Sequence, residues 1–156
     1  MRAALEFDVD QLYPFVTSAI RDATNRDAVL DGIAACSGVR PQFLSGEQEA
    51  YLTYLAVRRW YGWQAGSILD LDIGGGSMEV AFGRSAAPDV AVSLPLGAGR
   101  MTRTFLPEDP AGRADVKRLR RYVRDQIGGV SDRLRWEGTP RRVVATSKTF
   151  KQLARL

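Results

Sequence analysis

The chain has 156 residues, of which 45% are hydrophobic and 26% are charged, the balance of a globular protein that can bury a core. It contains no histidine and a single cysteine, Cys36. A Ser-His-Asp triad, a histidine zinc site, an internal disulfide and a multi-cysteine metal site are therefore excluded. No apolar run approaches the ~20 residues needed to cross a bilayer, so we expect a cytoplasmic protein without a membrane partner. The net charge of +4 is compatible with a polyanionic ligand.

Short strands and one helix are predicted before residue 45. Residues 13–17 and 40–44 each have the pattern of a short strand. Between them a helix begins after Asn25, a residue type that favours the N-cap position. Its apolar side chains recur at helical spacing and predict one buried face, formed by Val29, Leu30, Ile33 and Ala34.

Ser45-Gly46-Glu47-Gln48 has the spacing of a capping box, which predicts a helix from Ser45 to about Trp60. The apolar stripe expected for this helix consists of Leu52, Leu55, Ala56 and Trp60. Glu49 falls on that stripe near the helix N-terminus. An inward carboxylate needs a reason, since burial of a charge is costly. Interaction with the helix dipole and a catalytic or metal role both remain open explanations.

The middle of the chain predicts three strands, at residues 68–73, 78–82 and 90–94. Their short connections favour an antiparallel meander. A helix is expected at residues 97–105. A long helix follows from about Ala114 to Leu134, with a kink or a split predicted at Gly128-Gly129.

The arginines of this long helix lie off its apolar positions, and a solvated basic face explains them, so a nucleic-acid partner is not expected. After the long helix, residues 142–146 read as a strand. Ser147-Lys148-Thr149 then opens a final helix.

The segment Asp72-Ile73-Gly74-Gly75-Gly76-Ser77-Met78-Glu79 is the most informative. Its glycines permit positive φ and expose backbone N–H groups that can surround an anion. A strand rather than a helix follows, so this is neither a Walker A loop nor a dinucleotide fingerprint. If the turn is centred between Gly75 and Gly76, Asp72 and Glu79 face each other on one side of the sheet. A Mg²⁺ site and a plain hairpin with solvated acids both remain open.

These residues closely resemble the signature of the Ppx/GppA family of exopolyphosphatases and guanosine pentaphosphate phosphatases, which usually has threonine in place of Met78. Ser45-Gly46-Glu47-Gln48-Glu49-Ala50 resembles a second family block, and residues 17–25 resemble a block upstream. The resemblance extends over essentially the whole chain, with the blocks in the family order. It implies an α/β fold, the actin-like or sugar-kinase-like ATPase fold (ribonuclease H-like), of which this chain would hold part.

The resemblance also implies a role for each matching residue. Glu49 would be catalytic and would deprotonate the attacking water, while Asp72 and Glu79 would hold the Mg²⁺ cofactor. The residues implied to bind phosphate are Arg21, Gly74, Gly75, Gly76, Ser77, Ser147, Lys148 and Thr149. The family commonly has a Ser-Gly-Thr loop at residues 147–149, and here Lys148 replaces the glycine. Lysine prevents the same close backbone approach but supplies a charge to phosphate.

The family begins with a strand hairpin that carries a further phosphate loop, and nothing before Thr17 resembles it. We therefore expect a central excerpt. Residues 1–45 would be the remainder of the first ATPase-like domain, and residues 46–156 the first part of the second.

The function implied is a phosphohydrolase that releases terminal phosphate from inorganic polyphosphate or pppGpp. Two alternatives are a non-catalytic polyanion-binding or regulatory domain and a phosphotransferase of the same fold. The expected partner is the polyphosphate or guanosine polyphosphate substrate. A homodimer is also compatible with the sequence, since a truncated domain would expose surfaces that are normally covered.

Overall fold

The structure is a computed structural model that describes residues 10–156. Contacts divide the chain into two compact units, one that ends at Leu44 and one that spans Ser45–Leu156. The assignment of residues 1–45 and 46–156 to two ATPase-like domains stays a prediction. Within residues 10–156, none of the helices combines the length and the apolar character that crossing a membrane requires.

The first unit contains two short parallel strands, β1 (Phe15–Val16) and β2 (Gln42–Phe43). Between them lie one helical turn, α1 (Ser18–Arg21), and the predicted helix, α2 (Arg26–Ser37). The helix begins after Asn25 as predicted, although the Asn25 side chain makes no capping hydrogen bond. Of the apolar face predicted for α2, only Leu30 is buried.

The second unit is built on one four-stranded sheet, whose strands are β3 (Ile68–Ile73), β4 (Met78–Gly83), β5 (Val90–Leu94) and β6 (Arg142–Thr146). The strand order is β5-β4-β3-β6. The predicted antiparallel meander of β3, β4 and β5 is confirmed. β6 returns parallel to β3. The connection from β5 to β6 contains α4 (Ala98–Phe105) and α5 (Arg113–Glu137), and α6 (Ser147–Leu153) follows β6.

Helix α3 (Gly46–Tyr61) begins at the predicted capping box. The Gln48 amide donates to Ser45 Oγ at 3.1 Å, and the Ser45 amide donates to Gln48 Oε1 at 2.8 Å. These two bonds satisfy backbone donors that the first turn of a helix otherwise leaves unpaired. The start of α3 is therefore fixed by local side chains.

The apolar stripe predicted for α3 is wrong. Trp60 is 85% exposed and Leu52 is exposed as well, whereas the residues that α3 buries are Ala50, Tyr54, Val57 and Arg58. Arg58 is tolerated there because its guanidinium donates to the Tyr54 hydroxyl and to the Gly83 carbonyl. Hydrophobic periodicity gives no weight to such a residue, and so it missed the face that packs against the sheet.

Helix α5 is continuous over 25 residues, so Gly128-Gly129 does not split it, and the alternative of a kink stays a prediction. A side chain added at either glycine would meet nothing within 4 Å. None of the residues of α5 is buried. The helix is joined to α4 by the rings of Phe105 and Tyr122, whose centroids are 5.0 Å apart.

Candidate active site

Asp72 on β3 is the register partner of Glu79 on β4, as the spacing about the glycines predicted. Side chains alternate between the faces of a sheet, and so Asp72 and Glu79 share a face with Ile68 and Ala81. Ile68 and Ala81 pack with Tyr54 of α3 in the hydrophobic core. The two carboxylates thus lie on the side of the sheet that α3 covers.

Hydroxyl groups from the neighbouring strands hold both carboxylates. Thr146 at the end of β6 donates from Oγ1 to Asp72 Oδ2 at 2.7 Å. Ser93 on β5 donates from Oγ to Glu79 Oε1 at 2.8 Å. Each acid therefore has one oxygen fixed by a hydrogen bond, which orients the carboxylate before any ligand arrives. Sequence reasoning missed both hydroxyls, since their pairing with the acids follows only from the strand register.

Asp70 is a third acid on the same face and is not among the predicted site residues. It is 2% exposed, and among the described residues its Oδ1 is buried without a hydrogen-bond partner. Burial raises the pKa of Asp70 to about 6, and the negative charge of Asp72 adds to this shift, while hydrogen bonds from Leu71 and Thr146 oppose it. The available signal was the spacing of Asp70 and Asp72, which places two strand residues on one face.

Glu49 lies in the first turn of α3, with its Oε1 enclosed by protein. Burial raises the pKa of Glu79, and the charges of Glu49 and Asp72 raise it further, against hydrogen bonds from Ser77 and Ser93. The structure therefore brings Glu49, Asp72 and Glu79 into one electrostatic neighbourhood. Glu47 is exposed, whereas Glu49 is partly buried. The prediction that Glu49 points inward therefore agrees with the structure, although the apolar stripe from which it was argued is wrong.

Gly46 brings the beginning of α3 close to the sheet. A side chain at Gly46 would overlap Ser93, the residue whose hydroxyl holds Glu79. The absence of a Cβ at Gly46 is therefore what allows the first turn of α3, and Glu49 with it, to approach this end of β5.

The glycine loop, residues 74–77, joins β3 to β4. Its Gly74 and Gly75 carbonyls accept from the amides of Ala98 and Arg100 in the first turn of α4, both at 2.9 Å. Arg100 Nε donates to the Gly76 carbonyl at 2.7 Å. By contrast, the amides of Gly75, Gly76 and Ser77 donate to no acceptor within the part of the chain that the structure describes. A loop whose carbonyls are occupied and whose amides lack a protein acceptor is suited to an anion.

The positive φ angles expected of this loop are not found. The glycines with positive φ among the described residues are Gly38, Gly62, Gly66 and Gly138. Glycine serves two other purposes here. A side chain at Gly75 would meet nothing within 4 Å, so the loop surface is bare. A side chain at Gly97, which precedes α4, would overlap the backbone of Gly76 and Ser77.

Ser147-Lys148-Thr149 lines one cavity together with the glycine loop. This cavity measures about 380 Å³ and is also bordered by Ile73, Gly74, Gly75 and Gln152. Ser147 has φ +90°, a left-handed conformation that is costly for a side-chain-bearing residue. Its Oγ is buried and has no hydrogen-bond partner among residues 10–156. Two of the segments predicted to bind phosphate thus face the same space.

Arg21 is placed in the first unit, at the end of α1. Its guanidinium donates to Asp22 Oδ1 at 3.1 Å and to the Leu44 carbonyl at 2.9 Å. Its predicted contact with the phosphate chain stays a prediction.

The donor chemistry of these acids suits a magnesium ion. No group of three histidine, cysteine, aspartate or glutamate side chains in residues 10–156 is arranged to hold a metal by itself. Mg²⁺ does not need such a group, because it is commonly bound by one or two carboxylates together with water and substrate phosphates. The oxygen-only donor set and the unpartnered Asp70 Oδ1 suit a hard cation. Asp72 and Glu79 are the residues that would hold it.

Comparison with known proteins gives consistent matches. The chain is 51% identical over 155 residues to exopolyphosphatase 1 of Mycobacterium tuberculosis, which covers 99% of this chain and 45% of the relative. It is 52% identical over 146 residues to exopolyphosphatase 1 of Mycobacterium leprae, covering 94% of this chain and 43% of the relative. The chain therefore spans about half the length of the curated relatives it matches.

Solved structures give the same picture. A Ppx/GppA family member from Aquifex aeolicus is 32% identical with a TM-score of 0.64, over 83% of this chain and 42% of that one. An exopolyphosphatase-like protein is 28% identical with a TM-score of 0.83, over 95% of this chain and 48% of that one. The predicted α/β fold, part of the actin-like ATPase fold, is confirmed by these likenesses. Since the model of the Ppx/GppA phosphatase family matches residues 1–156, the chain belongs to that family.

Proposed function

We propose that this chain provides the acid and phosphate-binding groups of an exopolyphosphatase, which releases the terminal phosphate of inorganic polyphosphate by attack of water. The observation that carries the proposal is the glycine loop. Through Gly74 and Gly75 the loop borders the same cavity as Ser147 and Lys148, and it connects the strands that present Asp72 and Glu79. The relatives named exopolyphosphatase 1 favour polyphosphate as the substrate.

Each group has a defined part in the reaction. The amides of Gly75, Gly76 and Ser77, with the hydroxyls of Ser147 and Thr149 and the ammonium of Lys148, hold the phosphate oxygens. Glu49 accepts a proton from water as the water oxygen bonds to the terminal phosphorus. The bridging P–O bond breaks at the same centre, and the shortened chain leaves with the bridging oxygen. Preorganised N–H donors stabilise the charge on the phosphoryl oxygens.

The acids by themselves would repel a polyanionic substrate. Asp70, Asp72 and Glu79 lie on one sheet face, and Glu49 contributes further negative charge. We propose that Mg²⁺ offsets this charge. When it is bound by Asp72 and Glu79, the ion supplies positive charge to the phosphate oxygens. Glu49 would then act on water beside a phosphate chain whose charge is partly offset.

The test is release of phosphate by the 156-residue chain from polyphosphate, pppGpp and ATP, with Mg²⁺ and with EDTA. Exopolyphosphatase 1 of M. tuberculosis is the positive control. We expect Mg²⁺-dependent release from polyphosphate, slower than in the control because the chain covers 45% of that relative and misplaced phosphates lose the advantage of proximity. Binding of polyphosphate without release would favour the regulatory alternative. Transfer of phosphate from ATP to a sugar would favour a phosphotransferase. A cytoplasmic location and a homodimer stay predictions.

A further inference from the structure

Helix α5 carries a row of positive charge that the catalytic groups do not explain. The row consists of Arg113, Lys117, Arg120, Arg121 and Arg124, and we refer to these five residues as the cationic stripe. At about 100° per residue, the five positions fall within an arc of about 100°, which is one side of the helix. All five are exposed, and over 11 helical steps the stripe extends for about 17 Å.

The charge of the cationic stripe is not neutralised by the protein around it. None of its five members has an ion pair with a described residue. Of the acids on this helix, Asp115 pairs with Arg118 at 2.6 Å and Asp132 pairs with Arg135 at 3.3 Å, while Asp125, which follows Arg124, has no ion pair among the described residues. Arg118 and Arg135 both lie outside the stripe.

The stripe is unfavourable for the helix that carries it. Like charges three or four residues apart repel and destabilise a helix, and Arg113–Lys117, Lys117–Arg121 and Arg120–Arg124 are such pairs. A polyanion bound along the stripe would reverse this effect, since each phosphate would lie between cations. Arginine and lysine are the side chains that bind phosphate by charge and by N–H donation.

The surface at the stripe has room for a ligand. The five cations, with Ala111 and Val116, line a depression of about 480 Å³. No aromatic side chain lines it. Proteins that bind single-stranded nucleic acid rely on aromatic side chains on which the bases stack. A cationic depression without aromatic side chains therefore favours a phosphate chain that has no bases.

The stripe is connected to the glycine loop through α4. The first turn of α4 donates to the loop carbonyls, and Phe105 at the other end of α4 contacts Tyr122 of α5. We propose that the cationic stripe is a second binding site for inorganic polyphosphate, which holds a distal part of a long chain while the glycine loop holds the terminal part. This inference rests on the proposed function, because it takes polyphosphate as the polyanion.

The experiment measures binding of long-chain polyphosphate and of tripolyphosphate to the 156-residue chain, in EDTA and at several salt concentrations. The test variant is Arg120→Gln/Arg124→Gln. The matched control is Arg59→Gln/Arg133→Gln, which removes two exposed arginines that lie outside the stripe. Glutamine keeps a good helix propensity, and circular dichroism checks folding. If the test variant is unfolded, Lys117→Gln/Arg121→Gln replaces it.

We expect the stripe variant to bind long-chain polyphosphate roughly tenfold more weakly. The slope of log K against the logarithm of the salt concentration should be smaller in magnitude by about 1 to 2. Tripolyphosphate, which is too short to reach both sites, should bind equally to all variants. Equal weakening by the test and control variants would overturn the proposal in favour of net charge alone. Tighter, stripe-dependent binding of an RNA homopolymer would overturn it in favour of nucleic acid. Stripe-dependent binding without phosphate release would contradict only the proposed function.

Discussion

Thr146 joins two parallel strands at the candidate site by donating a hydrogen bond from its Oγ1 to Asp72 Oδ2 at 2.7 Å. The next residue, Ser147, adopts a left-handed backbone conformation and is the first residue of α6. One strand end therefore orients an acid and also delivers the segment that lines the cavity beside the glycine loop.

Thr146→Val should weaken the site without unfolding the protein, because valine keeps the shape of threonine and removes the donor to Asp72. Loss of a partner that orients a metal ligand typically costs 10- to 100-fold in metal affinity or activity. We expect the Mg²⁺ concentration for half-maximal phosphate release to rise by roughly that factor, and Thr146→Ser to restore it. Unchanged Mg²⁺ dependence in Thr146→Val would show that this bond has no part in holding a metal.

Glu49→Gln should abolish most turnover and leave polyphosphate binding nearly intact, since glutamine cannot accept the proton of water. Loss of a general base costs about 10²- to 10⁴-fold in kcat. The control is Glu47→Gln, which alters an exposed glutamate of the same helical turn. Both are best measured in a chimera in which residues 1–156 replace the matching part of exopolyphosphatase 1 of M. tuberculosis. If neither change slows turnover tenfold, another group activates the water.

Gly97→Ala should disturb the glycine loop, because the added methyl group would overlap the backbone of Gly76 and Ser77. Overpacking of this kind costs about 1–3 kcal/mol in the free energy of unfolding. Gly128→Ala is the opposite case, a glycine inside α5 whose added methyl group meets nothing within 4 Å. It should stabilise the chain by about 0.5–1 kcal/mol. Urea unfolding of both variants checks the pair, and equal stabilities would contradict the close packing at Gly97.

Asp70 should make stability fall as the pH rises. The pKa of Asp70 is about 6 in the folded chain against an ordinary value of 3.8. The stability that protonated Asp70 contributes is therefore fully present below pH 3.8 and is lost as the pH rises through 6. This shift corresponds to about 3 kcal/mol in the free energy of unfolding. Asp70→Asn should remove this part of the fall in stability with pH, and above pH 6 the variant should be more stable than the parent chain. The measurement is urea unfolding from pH 4 to 8 in EDTA.

The control for this prediction is Asp132→Asn, whose carboxylate is 73% exposed. Its curve should follow that of the parent chain at every pH. A curve for Asp70→Asn that also runs parallel to the parent would show that Asp70 titrates normally in the folded state.

Local patterns were sufficient for two parts of the site. The capping box at Ser45 depends on residues three apart, and the register of Asp72 with Glu79 depends on a short hairpin, so both could be predicted from the sequence. The buried face of α3 could not, because Arg58 is accommodated by Tyr54 and by a carbonyl on another strand. Hydrophobic periodicity records neither of these partners.

The contacts that hold the acids were also beyond local patterns. Thr146 reaches Asp72 from a strand that is 74 residues away in the chain, and Ser93 reaches Glu79 across a strand pair. The left-handed conformation of Ser147 has no sequence signal, since serine does not favour it. Such features follow from strand order and register, which are properties of the whole sheet.

Two local contacts fix the start of α3, so the location of Glu49 depends on its number of residues from that start. The capping box sets where the helix begins, and Gly46 seats its first turn against Ser93. A helix advances by about 100° and 1.5 Å per residue. One residue inserted between Gly46 and Glu49 would therefore swing the carboxylate about a quarter of the way around the helix. Such an insertion should therefore displace Glu49 even though every residue type of the segment is kept.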